Sequence, residues 1–391
     1  MPSNKDKDAF ALYVHIPYCI SKCPYCDFNS HVVPKIPEEE YTKALLKELA
    51  FHGTQEAWHG RSLKSLFFGG GTPSTFHPVN IDEILRQAET LFPFRKDVEI
   101  TLEANPGTVD STNFSGYRSC GINRLSLGAQ SFRPHLLKFL GRIHSVNDIR
   151  RALKITHQAG FENFNLDLIY ACPGQSLSDL SADLREALSF HPPHLSAYNL
   201  TIEKGTPFHR AYQAGSIRNL PEEKEVSMAE LVEETLSKER LVRYEISNYA
   251  KDGFHSRHNI NYWQGGDYLG IGAGAHSYRQ IGEKEILGHR WQNESQPARY
   301  MEMIEYGGRA VVGKEKTDST KAAGEFMFLG LRLIQGISVQ DFTRLFGKTP
   351  VELYPQIHDW MREGLMAEND QRLRLTRQGL LVANSIFVNF V

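Results

Sequence analysis

The sequence predicts an α/β protein: an incomplete parallel (β/α)6 barrel followed by a small C-terminal helical unit of winged-helix type. Three observations carry this. Six short β-type runs alternate with helix-type stretches through the first two-thirds of the chain. A strand–helix alternation of this kind argues for a parallel sheet with right-handed crossovers. Eight such units close a full barrel, so six leave it open. Near residue 310 the pattern turns to helix, helix and hairpin.

The β-type runs are LYVHI (12–16), SLFFGG (65–70), VEITLEA (98–104), RLSLGAQ (124–130), NFNLDLIY (163–170) and LSAYNLT (195–201). Between them, EEEYTKALLKELAF (38–51) places apolar residues at helical spacing, with its acids in the first turn where the helix dipole favours them. Similar stretches cover 80–92, 110–119, 145–159 and 176–190. After residue 205 a charged helix (221–240) leads to YEISNYA and a glycine-rich stretch at 264–276. GISVQDFTRLFG reads as a helix with a glycine stop, GLMAENDQRLRLT as a hairpin, and a last helix starts at 376. The expected division is a core over 1–220, a connecting region over 221–305 and the C-terminal unit over 306–391. In a barrel of this type, chemistry gathers at the C-terminal ends of the strands.

Composition excludes several classes. The 391 residues are 41% hydrophobic, enough for a sizeable core. A net charge of −2 and a pI near 6.8 leave no broad basic field for a nucleic acid backbone. A winged-helix unit can read DNA, but no helix here carries a basic face, so structural or lid use is expected. No run of about 18 apolar residues exists to span a membrane. The first residues, MPSNKDKDAF, are polar and lack the apolar run of a signal peptide. Five cysteines form an odd set. A reducing, cytoplasmic location is therefore expected rather than a disulfide framework.

Three of those cysteines, Cys19, Cys23 and Cys26, lie in YVHIPYCISKCPYCDFNS, spaced C-x3-C-x2-C directly after the first strand. Thiolates ligate zinc and iron–sulfur clusters alike. Structural zinc usually takes two separated ligand pairs, and no second pair exists here. His15 is a candidate fourth ligand but sits on the strand, poorly placed to join the loop. Three ligands hold three corners of a four-iron cubane and leave one iron open. Lys22, Pro24, Tyr25 and Asp27 make a polar loop rather than a core segment. The residues therefore favour a cluster over zinc or buried thiols.

C-x3-C-x2-C with Tyr25 before the third cysteine resembles the signature of radical S-adenosylmethionine (SAM) enzymes. YVHIPYC before it and GGGTPS at 69–74 narrow the resemblance to the branch holding oxygen-independent coproporphyrinogen III dehydrogenase and the HemW-type haem chaperones. It covers nearly the whole chain and implies a radical-SAM barrel, a 4Fe-4S cluster on the three cysteines, and SAM. Glycines at the end of the second strand let backbone approach a ligand. With the resemblance, Gly70, Gly71 and Thr72 are expected to cradle the methionyl ammonium. Polar residues at later strand ends can supply a cation for the carboxylate, acceptors for ribose and ammonium, and negative charge for the sulfonium. The resemblance places such contacts at Tyr13, Tyr25, Glu103, Gln130, Arg142 and Asp167, and adds Thr201 and His276. YLGIGAGAHS only mimics a dinucleotide fingerprint, because no helical periodicity follows it.

RHNINYW (257–263) offers a soft nitrogen at His258 with two aromatics beyond it. Imidazole can ligate haem iron and aromatics can stack on porphyrin. A lone histidine in a polar loop is usually solvated, and Tyr-Trp pairs often plug cores. The segment resembles the H-N-x-x-Y-W motif of the haem chaperones, which implies haem contact at His258; nearby His255 has no motif behind it. The dehydrogenase pattern continues C-x3-C-x2-C-x-C, and its fourth position is Phe28 here. The dehydrogenase also carries a longer N-terminal arm, for which 18 residues before Cys19 leave little room. The expected function is haem binding and transfer to acceptor proteins, membrane-associated respiratory enzymes among them. Oxidative decarboxylation of coproporphyrinogen III is the alternative, and a DNA-binding iron–sulfur regulator a third class.

Overall fold

The structure is a computed structural model describing residues 8–282 and 286–390. Most of the polar N-terminal stretch, residues 1–7, and Glu283–Glu285 lie outside the described residues. Fifteen strands are described: β1 (Ala9–Ile16), β2 (Ser62–Gly70), β3 (Phe94–Ala104), β4 (Arg124–Gln130), β5 (Phe164–Tyr170), β6 (His194–Asn199), β7 (Val242–Arg243), β8 (Asn248–Ala250), β9 (Tyr268–Ile271), β10 (His276–Gln280), β11 (Gly288–Asn293), β12 (Val311–Thr317), β13 (Ile337–Ser338), β14 (Met366–Asn369) and β15 (Arg372–Leu375). The first twelve form one sheet in the order β12-β11-β10-β9-β1-β2-β3-β4-β5-β6-β8-β7.

The six expected strands run parallel from β1 to β6, joined by helices at Glu38–Gly53, Pro78–Leu91, Ser111–Ser119, Val146–Gln158 and Leu177–Leu188. Ser145 and Ser176 start the last two of these with reciprocal capping boxes to Asp148 and Asp179, which satisfies donors the helix leaves orphaned. A seventh parallel strand, β9, pairs with β1 on its other side and comes from the glycine-rich stretch. Gly270 is required there: a Cβ would stand 2.1 Å from the carbonyl oxygen of His276 as the chain doubles back.

Two expected boundaries shift as a result. Residues 221–305 do not merely connect, because β7 to β11 extend the core sheet along both edges. β12, assigned from sequence to the C-terminal unit, pairs antiparallel with β11 and so belongs to the same sheet. The C-terminal unit proper starts at the helix Ser319–Gly330 and contains the three-stranded sheet β13-β15-β14. Its hairpin turns through Asp370 and Gln371, both at positive φ, as a two-residue hairpin loop requires.

Each parallel strand has two unlike faces. One buries apolar side chains against the helices: Leu12 and Val14 from β1, Phe68 from β2, Leu102 from β3, Leu127 from β4 and Leu166 from β5 are all at most 1% exposed. Burying a side chain of this size contributes about 1.5–3 kcal/mol. The alternate residues are polar and face inward: Glu103, Arg124, Ser126, Asn165, Asp167 and His194 line a lumen. The C-terminal unit has its own core around Met327, Phe342 and Leu373. It docks on the sheet through Ile334 N–H to the Tyr244 carbonyl (3.1 Å) and through Arg332, whose guanidinium lies 4.4 Å from the Trp263 ring centroid.

Candidate functional site

The lumen is a cavity of about 1840 Å³. Ligand pockets commonly run to about 300–1,000 Å³, so this one has room for more than one small molecule. At its mouth stand Cys19, Cys23 and Cys26, all half-buried, in the loop leaving β1. Burial raises the thiols of Cys19 and Cys26 above their usual range. Two donors meet the sulfurs: the Thr72 hydroxyl at 3.3 Å from Cys19 Sγ and the Arg142 guanidinium at 3.3 Å from Cys23 Sγ. Donors aimed at sulfur suit thiolates carrying the charge of an iron–sulfur cluster. Among the described residues, no three His, Cys, Asp or Glu side chains converge on a position for a single metal ion.

The loop is held by its own backbone and by neighbours the sequence did not single out. Lys22 Nζ donates to the carbonyls of Phe28 (2.9 Å) and Ser30 (3.3 Å), wrapping the turn. His15 is not a ligand. Its Nε2 donates to the Asn29 carbonyl at 2.8 Å and its Nδ1 meets the Tyr13 hydroxyl at 3.0 Å, so both nitrogens are committed. Asn29 Nδ2 donates to the carbonyls of Ala273 (2.9 Å) and Ser295 (3.0 Å), tying the loop to the β9–β11 edge.

The glycines of FFGGGTPS make room for protein as well as for a ligand. Gly70 ends β2 at φ +111, where a Cβ would lie 2.4 Å from the His15 ring; at Gly71 it would lie 2.6 Å from the Tyr18 carbonyl oxygen. Gly71 N–H to Ile16 O and Thr72 N–H to Tyr18 O, both 2.8 Å, zip this turn to the start of the cysteine loop. Gly70, Gly71 and Thr72 all line the cavity.

The remaining expected cofactor contacts converge on the same mouth. Glu103, the penultimate residue of β3, accepts from Gly70 N–H at 3.2 Å. Burial, and then the neighbouring Asp167, push its carboxyl up to about 7. Asp167 is also raised by burial, and it accepts from Asn165 Nδ2 (2.8 Å) and Ser126 Oγ (3.3 Å). Gln130 closes β4 at φ +67, a strained position for a side chain other than glycine. Arg142 also donates to the Gly128 carbonyl (3.1 Å) and lies 3.4 Å from the Tyr25 hydroxyl, while its buried Nε has no acceptor. Thr201 and His276 line the cavity from exposed positions, Thr201 just beyond β6 and His276 opening β10.

His258 departs from expectation. RHNINYW is not a polar loop but a helix, Arg257–Trp263, capped by Ser256 and by Glu99, whose two oxygens accept the N–H groups of Arg257 and His258. His258 is 1% exposed. Its Nδ1 meets Ser65 Oγ at 3.0 Å, its Nε2 meets the Tyr262 hydroxyl at 2.9 Å, and its ring stacks on Phe67 with centroids 4.9 Å apart. Burial drives its pKa down to about 3. In this arrangement the imidazole is neutral and has no free nitrogen for iron.

Sequence reading also missed the lumen floor: Arg124, Asn165 and His194. An apolar wall from the C-terminal unit, including Phe326, Leu329 and Leu333, completes the cavity. The signal for the floor was the period of two within RLSLGAQ, where Arg124, Ser126, Gly128 and Gln130 alternate with buried apolar residues.

Residues 13–187 match the radical SAM superfamily, and residues 318–382 match the HemN C-terminal domain. The chain is similar to the heme chaperone HemW of Escherichia coli (strain K12), 36% identical over 97% of this chain and 98% of that one. It is 34% identical to the heme chaperone HemW of Bacillus subtilis (strain 168), with the same coverage of both. Among solved structures, coproporphyrinogen III oxidase (HemN) from Escherichia coli has the same fold, with a TM-score of 0.82 at 21% identity over 99% of this chain and 90% of that one. The superfamily implies a 4Fe-4S cluster and SAM, and the cysteine loop with its sulfur-directed donors fits them. The chain belongs to the HemW heme chaperone family of the radical SAM superfamily.

Proposed function

We propose that this protein binds haem in the lumen and hands it to acceptor proteins, holding a 4Fe-4S cluster on Cys19, Cys23 and Cys26 and SAM beside it. The observation that carries this is the two-ended cavity: thiols and carboxylates at one end, an apolar wall from the C-terminal unit at the other, and more room than one cofactor needs. A flat, largely apolar molecule with polar edges suits such a space. SAM has its candidate contacts at the mouth, in Gly70, Gly71, Thr72, Glu103, Gln130, Arg142 and Asp167. The relatives named heme chaperone support the same reading over nearly the whole chain. His258 does not, in this arrangement, supply the iron ligand, so the reading rests on the cavity and not on that residue.

The alternative, coproporphyrinogen oxidation, lacks its fourth thiol. Phe28 stands at that position, 65% exposed, and a phenyl ring offers neither ligand, redox nor proton-donating chemistry. Anaerobic reconstitution followed by parallel assays separates the two. The expected result is haem binding and transfer to an apo-acceptor without protoporphyrinogen production. Turnover of coproporphyrinogen III by the fully loaded protein would reverse the assignment.

A further inference from the structure

Arg124 opens β4 on the lumen floor and is 2% exposed. Its Nε is sealed from water with no acceptor, and among the described residues the guanidinium makes no hydrogen bond or ion pair. Glu103 and Asp167 act on it through charge, but neither makes a hydrogen bond or ion pair with it. The two oxygens of Glu99 cap the Arg257–Trp263 helix. Asp167 is held by Asn165 and Ser126, and Glu103 by Gly70. His194 uses both ring nitrogens, on Asn165 Oδ1 (2.7 Å) and on the Tyr244 hydroxyl (2.8 Å). A buried N–H donor left without an acceptor is costly even with carboxylates nearby. Arg124 also lines the cavity, two residues before Ser126, which lies opposite Glu103 in β3.

We propose that Arg124 is a carboxylate anchor: it grips an acid group on the edge of the molecule that fills the inner lumen, next to Glu103 and Asp167. A planar guanidinium binds a carboxylate through two parallel hydrogen bonds, which fixes orientation as well as affinity. The inference rests on the haem reading for its preferred ligand, because haem carries two propionate carboxylates on one edge. It is independent of iron ligation and of His258.

The test titrates haem, haem dimethyl ester and metal-free coproporphyrin III into wild type, Arg124→Gln and Arg124→Lys, with SAM affinity and melting measured beside them. Wild type should prefer haem to its ester by roughly 10- to 100-fold, the scale of one charge-assisted contact. Arg124→Gln should erase that preference. Arg124→Lys, which keeps charge without the fork, should restore part of it. Equal binding of haem and ester by wild type overturns the anchor and leaves the haem reading standing, and this arm needs no variant to fold. Arg124→Gln that shifts SAM affinity but keeps the acid-over-ester preference also overturns it, because Arg124 then only balances Glu103 and Asp167. Coproporphyrin binding that depends on Arg124, without haem binding, keeps the anchor and removes the haem reading. No binding of any of the three ligands removes both.

Discussion

Replacing His258 by alanine separates a structural histidine from an iron ligand. In the structure the substitution strips partners from Ser65 Oγ and from the Tyr262 hydroxyl and removes the ring that stacks on Phe67. Ser65 is fully buried, so its hydroxyl is left without water as a substitute. A buried group left unpaired costs about 1–3 kcal/mol, and there are two, so the expected loss is about 2–6 kcal/mol of stability before any cavity is counted. The melting midpoint should fall by several degrees, read by circular dichroism on the reconstituted protein. Asparagine places an amide where Nδ1 stands and glutamine where Nε2 stands. His258→Asn should keep the Ser65 contact, His258→Gln the Tyr262 contact, and each should melt between alanine and wild type. Iron content should survive all three. A haem spectrum altered by His258→Ala with no change in melting would refute the reasoning, because the imidazole would then face haem and not its two hydroxyls.

Serine at Cys19, Cys23 or Cys26 should remove most bound iron and the visible charge-transfer absorption, whereas Cys120 and Cys172 variants keep both, since Cys120 packs at a helix end and Cys172 lies in a separate buried cluster. Iron retained after Cys23→Ser contradicts this. SAM affinity should rise between about pH 6 and pH 8 as Glu103 ionises near 7, because the sulfonium and ammonium are cations; Glu103→Gln should flatten that slope in calorimetric titrations. The sign reverses for the ligand-free fold: a carboxyl raised from 4.5 to about 7 contributes stability that is full below 4.5 and lost as pH rises through 7. Gly71→Ala should impair cluster assembly despite its small size, because its methyl meets Tyr18 and Ile16 backbone at 2.6 to 2.9 Å; wild-type iron content in that variant contradicts the zippered turn. Arg142→Ala should weaken SAM binding and also alter the cluster's spectrum, since the guanidinium touches Cys23 Sγ.

The sequence by itself determined the parallel core and the cysteine centre. Strands such as RLSLGAQ carry their own period of two, helices such as VNDIRRALKITHQ carry their own caps, and three thiols seven residues apart end to end must share a loop. These are local facts, set by spacing along the chain. Only the tertiary structure decided the rest. β9 is four residues of a glycine-rich segment and has no strand signal until β1 offers it an edge. β12 joins the sheet because β11 is there to pair with it, not because its own pattern differs from the unit that follows. His258 looked like a free donor because nothing within RHNINYW satisfies both its nitrogens. Ser65 is 193 residues away and arrives only through folding. Arg124 was overlooked for the converse reason: a charged residue opening a strand normally reaches water, and only closure of the lumen leaves its Nε buried without an acceptor.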